Sequence, residues 1–251
     1  MQEKEVKQKA AEYIKNNKDE LIKKFAPEDE YPPEENPISI FMAGCFGAGK
    51  TEFTNRYRQK VRDLVLIDAD EVRNLCPNYN GEKAYLFNYA SSIGVSVLHN
   101  YVLKNDISFI FDGSFRSDKS IQNIQRSTKR DRPATIIYVH QDPKIAWLFT
   151  QIRAEITGRH ISKDAFISSV YKPKENIAKI KEKFGDKVNI TLVEKDLDKK
   201  LSDIDINIKE ATNEELEELK NLITYKDIRD IKDIDKEIEF EYTKEELKQS
   251  L

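Results

Sequence analysis

Cysteine is nearly absent from this chain: Cys45 and Cys76 are the only two in 251 residues. A disulfide framework therefore cannot organise the fold, and a cytosolic setting fits. Long apolar runs are missing too. No stretch approaches the roughly 18 apolar residues that a membrane-crossing helix needs. The opening MQEKEVKQKAAEYIKNNK is charged and lacks the hydrophobic centre of a signal peptide. Nor is there a large excess of one charge. The formal net charge is −3, which gives no global pull toward nucleic acid or a membrane surface. His99, His140 and His160 are scattered and suggest no metal cluster. No internal repeat or low-complexity tract is found. The expectation is a soluble, cytoplasmic protein.

What is there is ample core material, 39% hydrophobic, under a heavily charged surface, 35% Asp, Glu, Lys and Arg. The length suits one large domain, or one domain with appendages. Residues 2–25 read as an amphipathic helix, with Ala10, Ala11, Ile14, Leu21, Ile22 and Phe25 on one stripe. APEDEYPPEENP (26–37), rich in proline and acid, reads as a linker. Five apolar runs follow: ISIFMAGC (38–45), LVLIDAD (64–70), ISFIFDG (107–113), ATIIYVHQ (134–141) and NITLVEK (189–195). They lack clean alternation, as strands buried on both faces of a parallel sheet do. Helix-like segments separate them at about 50–62, 83–104, 117–128, 143–156 and 173–183. Strands alternating with helices predict a doubly wound α/β fold of about five mainly parallel strands with helices on both faces. The divisions expected are 1–37 (N-terminal helix and linker), 38–195 (core) and 196–251 (a helical or irregular extension). Within the last, 213–223 is helical in pattern, capped by Thr212 or Asn213, and 225–242 reads as a helix or an irregular edge.

The strongest motif is GCFGAGKT (44–51), which matches G-x-x-x-x-G-K-[ST] between a strand and a helix. Such a loop cradles phosphates with backbone N–H groups and a helix N-terminus. This makes Gly44, Gly47, Ala48, Gly49, Lys50, Thr51 and Glu52 the candidate ATP contacts. Lys50 would bridge the β- and γ-phosphates, and Thr51 would hold Mg²⁺ with Asp112 of FIFDG. That acidic strand lacks a following glutamate to activate water, no N-K-x-D base-reading motif follows the loop, and one small domain leaves no room for a tandem motor. A P-loop kinase is the expectation. Asp68 and Asp70, leaving the second strand at its carboxyl edge, are placed where ligands sit. Strand alternation would aim both to one side. They can accept a substrate proton, or simply cap the next turn. Arg73 is read as a substrate-anion contact or a partner for these acids. Ser114 and Arg116 in GSFR are candidates for substrate and phosphate contacts, or for a plain helix cap by Ser114 or Ser117 with a surface arginine. Arg153 and Arg159 are candidates for a lid over the transferred phosphate, or solvated helix charges.

MAGCFGAGKTEF, IDADEVR, FDGSFR and QDPKIAWLFTQIRAEITGR, in this order, resemble the zeta toxin family over about residues 38–195. The resemblance implies a P-loop kinase whose relatives phosphorylate the sugar 3′-hydroxyl of UDP-N-acetylglucosamine. It implies ATP and Mg²⁺ at Lys50 and Thr51, Asp70 as the catalytic base, and Ser114 in place of the family's usual Thr. It also makes Arg116 the substrate and phosphate arginine, and Arg153 and Arg159 the lid pair. One departure stands out: the helix position that holds a glutamate in sugar-nucleotide-binding members is Ser96 here. Other relatives phosphorylate nicotinamide dinucleotide or small alcohols such as antibiotics. A small helical antitoxin that blocks the ATP site is the implied partner, and the N-terminal helix is either its dock, a built-in cover, or plain packing. The competing classes are a polynucleotide 5′-kinase, which the acidic balance opposes, and a nucleotide-binding module without transfer.

Overall fold

A computed structural model of the chain describes residues 2–197, 208–210 and 212–251. Residues 198–207 and 211 of the expected C-terminal extension lie outside the described residues.

The apolar runs form the strands β1 (Ser39–Ala43), β2 (Val65–Asp68), β3 (Phe109–Asp112), β4 (Ala134–His140) and β5 (Val188–Leu197). All pair in parallel, in the order β2-β3-β1-β4-β5. A sixth strand, β6 (Ile223–Ile231), continues the sheet antiparallel to β5. It falls where a helix or irregular edge was expected. Its exposed positions (Thr224, Lys226, Ile228 and Asp230) alternate with half-buried ones. That period of two is masked in the sequence by the charges an edge strand tolerates. Arg229, for example, is taken up by Glu194, Asp227 and Glu237.

β1 is buried along its whole length. Phe41 and Ala43 face one core layer, with Phe109, Ile136 and Leu98. Ile40 and Met42 face the other, with Ile110, Ile137 and Phe166. The crossover helices are α3 (Lys50–Lys60), α5 (Asn88–Lys104), α6 (Lys119–Thr128), α7 (Pro143–Thr157) and α8 (Lys163–Phe184). α8 runs ten residues further toward the N-terminus than the expected 173–183, straight through Pro173. Phe166 and Val170 on one side of the proline and Ile177 and Ile180 on the other are all buried, and that packing outweighs the lost hydrogen bond. The carboxyl half of IDADEVR leaves the strand early, since α4 (Ala69–Arg73) begins at Ala69. Asp70 therefore sits in a helical first turn and not on the strand, and the expected alternation of Asp68 and Asp70 does not hold.

The expected N-terminal helix is two, α1 (Glu3–Asn16) and α2 (Lys18–Phe25). Asn17 breaks it with φ −113° and ψ 38°, its side-chain amide donating to Tyr13 O at 2.7 Å. Both helices pack on α5 at Gly94. A Cβ there would stand 2.5 Å from Val72 Cγ1, 3.4 Å from Ile14 Cγ2 and 3.6 Å from Leu21 Cδ2. Past β5, Thr212 caps α9 (Asn213–Asn221) in a capping box with Glu215, one of the two caps expected. Two short helices, α10 (Ile234–Glu237) and α11 (Lys244–Ser250), finish the chain.

Leu21 is 1% exposed within the main core layer. Leu21→Ala should lower the unfolding free energy by about 2–5 kcal/mol in one cooperative transition by chemical denaturation. An unchanged midpoint would make α1 and α2 a detachable arm.

Candidate active site

The loop between β1 and α3 is shaped by glycines at positive φ. At Gly47, φ is 75° and a Cβ would lie 2.1 Å from the backbone oxygen of Ala146. At Gly49, φ is 83° and a Cβ would lie 2.0 Å from the Lys195 ammonium. The loop is anchored by the Phe46 N–H, which donates to Ser169 Oγ at 3.1 Å. Lys50 starts α3, and its ammonium donates to Gly44 O at 3.1 Å and to Cys45 O at 2.8 Å. Those bonds hold it over the mouth of the loop. Ala48 is fully buried, and burial pushes the Cys45 thiol up to about 11, so it stays protonated and inert. Glu52 faces Lys220 across 4.0 Å.

Three carboxylates gather at the strand edge beside this loop. Asp68 and Asp112 are register partners on β2 and β3. Burial, then the charges of Asp112 and Asp70, push Asp68 up to about 7. Its Oδ1 accepts the Asp70 N–H at 2.7 Å, so it is the N-cap of α4. Burial also raises Asp112, with Lys50 opposing. Asp70 behaves differently. Burial pushes it up, but Arg159 and Arg73 outweigh that and hold it below the usual carboxylate range. Arg73 Nη1 donates to its Oδ1 and Arg159 Nη2 to its Oδ2, both at 2.6 Å. Arg73 is itself buried and reaches Asn88 Oδ1 at 3.2 Å.

These groups line one cavity of about 1510 Å³, together with Thr51, Ser96, Ser114, Arg116 and Arg153. Ser96 is exposed on α5 and Ser114 half-buried in the loop after β3. Neither Ser114 nor Ser117 caps α6; that position is Asp118, whose side chain makes no cap bond. Arg116 stacks 4.7 Å over the Phe46 ring and donates to Ala165 O at 3.3 Å. Arg153 is exposed on α7. Arg159 is engaged with Asp70, so among the predicted lid pair only Arg153 has its guanidinium clear of an ion pair within the described residues.

The sequence reading missed several residues. Lys15 and Lys18, either side of the α1–α2 break, line the cavity, as do Lys83, Lys119 and Arg126. Arg126 is held by His99 Nδ1 at 2.7 Å and by Asn100. Lys195, at the end of β5, donates to Ala48 O at 3.3 Å. The edge rule that picked out Asp68 and Asp70 applies equally to Lys195 in NITLVEK, and would have found it.

No group of three or more His, Cys, Asp or Glu with metal-holding geometry exists among the described residues. Mg²⁺ at a phosphate site does not require one, since it keeps waters and shares substrate oxygens. Two neighbouring carboxylates with raised pKa values, beside the Thr51 hydroxyl, suit a divalent cation. As a check on the loop, Gly47→Ala should abolish nucleotide binding by calorimetry and cost at least about 2 kcal/mol of stability. Gly158→Ala, also at positive φ (70°) but with nothing within 4 Å, should cost about 1 kcal/mol and leave binding intact.

The model of the zeta toxin family matches residues 23–209. No curated protein matches the chain. The fold is similar to a structure of the PezAT chromosomal toxin-antitoxin system of the human pathogen Streptococcus pneumoniae, at TM-score 0.61 and 18% identity, covering 83% of this chain and 86% of that one. It is also similar to AvrRxo1-ORF1:-ORF2 with ATP, at TM-score 0.57 and 14% identity, covering 78% of this chain and 65% of that one. A structure of the same complex with sulphate ions gives TM-score 0.56 at 12% identity, over 78% and 65% of the two chains. The loop, the strand order and this match agree: the chain belongs to the zeta toxin family and is an ATP-dependent phosphotransferase of the P-loop kinase fold.

Proposed function

We propose that this site transfers the γ-phosphate of ATP to a hydroxyl of an anionic small molecule of the sugar-nucleotide class, with UDP-N-acetylglucosamine as the leading acceptor. The carrying observation is Asp70, fixed as a carboxylate between Arg73 and Arg159 on the wall of the P-loop cavity. The acceptor's charge is argued from the lining. Ten lysines and arginines face three aspartates there, in a chain of net charge −3. That field favours phosphorylated acceptors, nicotinamide dinucleotide included, over cationic antibiotics.

In this reading Lys50 and the backbone N–H groups from Gly44 to Thr51 hold the phosphates. Thr51 and Asp112 would hold Mg²⁺, which when bound neutralises β- and γ-oxygen charge. Asp70 accepts a hydrogen bond from the acceptor hydroxyl and orients it in line. Its low pKa makes it a weak base, which suits a loose transition state in which the proton leaves late. Arg116 and Arg153 supply positive charge to the transferring group. Ser96, Ser114, Asp68 and Arg73 border the acceptor. The absence of a glutamate at Ser96 is met on the same helix by neutral hydrogen-bonding groups, Asn88, Ser92, Ser96 and Asn100, spaced four residues apart and all on the cavity wall.

The partner inferred is a small antitoxin. Support comes from the names of the similar structures, one a toxin-antitoxin system and the other a two-component complex. No described helix is long and apolar enough to cross a membrane, and we infer action in the cytoplasm, where ATP is supplied.

Asp70→Asn should bind ATP within about threefold of the parent and lose transfer to UDP-N-acetylglucosamine by about 10²–10⁴-fold. Full transfer in that variant, followed by mass spectrometry of the product, would remove Asp70 from the chemistry. Arg159→Ala frees one Asp70 oxygen, and should lower kcat about 10²-fold with little change in ATP affinity.

A further inference from the structure

A second, smaller hollow of about 110 Å³ adjoins the glycine loop, walled by Phe149, Lys195, Lys220, Ile223 and Tyr225. Gly47 and Arg153 border both hollows; Lys50 and Thr51 border only the large one, and Gly49 and Glu52 only the small one. The loop therefore lies between them.

Lys195 reaches the loop from β5. Its ammonium carries three donors, yet among the described residues its only hydrogen bond goes to Ala48 O, at 3.3 Å. It lies so near Gly49 that a Cβ there would be 2.0 Å away. The ladder beside it is irregular. The β5–β6 ladder slips between Glu194 and Lys195, so that Glu194 faces Asp227 while Lys195 faces Tyr225, and Lys226 is left over. The extra residue lies on β6, so the bend falls on the strand that carries Tyr225 and sets that ring opposite Lys195; bulges concentrate beside active sites. Lys50 meets the loop at Gly44 O and Cys45 O, the opposite end from Ala48 and Gly49. The two ammonium groups thus approach the phosphate cradle from different ends. Tyr225, opposite Lys195, is fixed on its other contacts: the Arg56 guanidinium lies 4.8 Å from its ring centre and the Phe53 ring 6.0 Å away. A planar, positioned ring beside Phe149 and Ile223 suits a flat heterocycle.

We propose that Lys195 is a second phosphate-holding lysine of the ATP site, and that the nucleoside leaves the loop through the hollow walled by Phe149, Ile223 and Tyr225. This rests on the ATP reading of the loop. It makes β6, supplied by the segment beyond residue 196, a working wall of the nucleotide site.

The test is calorimetric binding of ATP and of inorganic tripolyphosphate, with Mg²⁺, to the full chain and to Lys195→Met, Lys195→Arg and Tyr225→Leu. Methionine keeps the apolar stem of lysine, and leucine keeps the apolar wall, so thermal midpoints should stay close to the parent's. Lys195→Met should weaken both ligands about 10- to 100-fold, and Lys195→Arg should recover most of that. Tyr225→Leu should weaken ATP by about 10-fold and leave tripolyphosphate unchanged. At saturating ATP, Lys195→Met should keep kcat within about threefold while KM for ATP rises, because the lysine holds phosphates alike in ground and transition states. Parent-like ATP affinity in Lys195→Met would overturn the proposal. So would equal loss of both ligands in Tyr225→Leu, which would mean the strand only props the loop. Absence of ATP binding to the parent chain would instead overturn the nucleotide reading beneath it.

Discussion

The parallel pairing of β1 on both of its edges, with β3 and with β4, is the constraint on which the site depends. A strand buried along its length and bonded on both sides cannot shift without breaking two ladders. Its carboxyl end therefore delivers the glycine loop to a fixed point, wedged against the backbone oxygens of Val139 and Ala146. Because five strands run the same way, their carboxyl ends share that edge. Asp68, Asp112 and Lys195 arrive beside the loop for this reason alone, from segments up to 127 residues apart in sequence. Precision at the loop is inherited from the sheet.

Electrostatics then divides the labour among like residues. Asp68, Asp70 and Asp112 share one wall, where burial and mutual repulsion favour protonation. Two of them respond in that way, Asp68 reaching about 7. Asp70 escapes because α4 starts one residue before it and turns its carboxylate toward Arg73 and Arg159. Pairs of acids pushed apart by their surroundings are how one residue type comes to serve distinct roles. Arg159 also ties the end of α7 to α4, so the arginine wall and the carboxylate are one mechanical unit.

The parallel core was legible because strands buried on both faces leave unbroken apolar runs, and the loop because phosphate binding demands glycine at set positions. What escaped the sequence had physical causes. β6 carries charge on both kinds of position, exposed Lys226 and Asp230 and half-buried Asp227 and Arg229, and its period of two was hidden among isoleucines spaced like a helix. The break at Asn17 depends on one side-chain bond to Tyr13 O, which no periodicity reports. Asp70 was read as lying on the strand, since a strand that turns into a helix at Ala69 leaves no punctuation. The lysines of the cavity wall, Lys15 and Lys18, look like solvated helix charges until the fold carries them to the rim. Lys195 needed only the rule already applied to the other strand ends.

Phosphorus NMR of the reaction mixture tests the central claim most directly, because it separates the fates of the γ-phosphate. The chain would be incubated with ATP, Mg²⁺ and UDP-N-acetylglucosamine or another anionic hydroxyl compound, and the spectrum followed. The account predicts ADP together with a new phosphomonoester resonance, in proportion, and little inorganic phosphate. Inorganic phosphate as the sole product, or ATP left intact with every anionic acceptor, would contradict it.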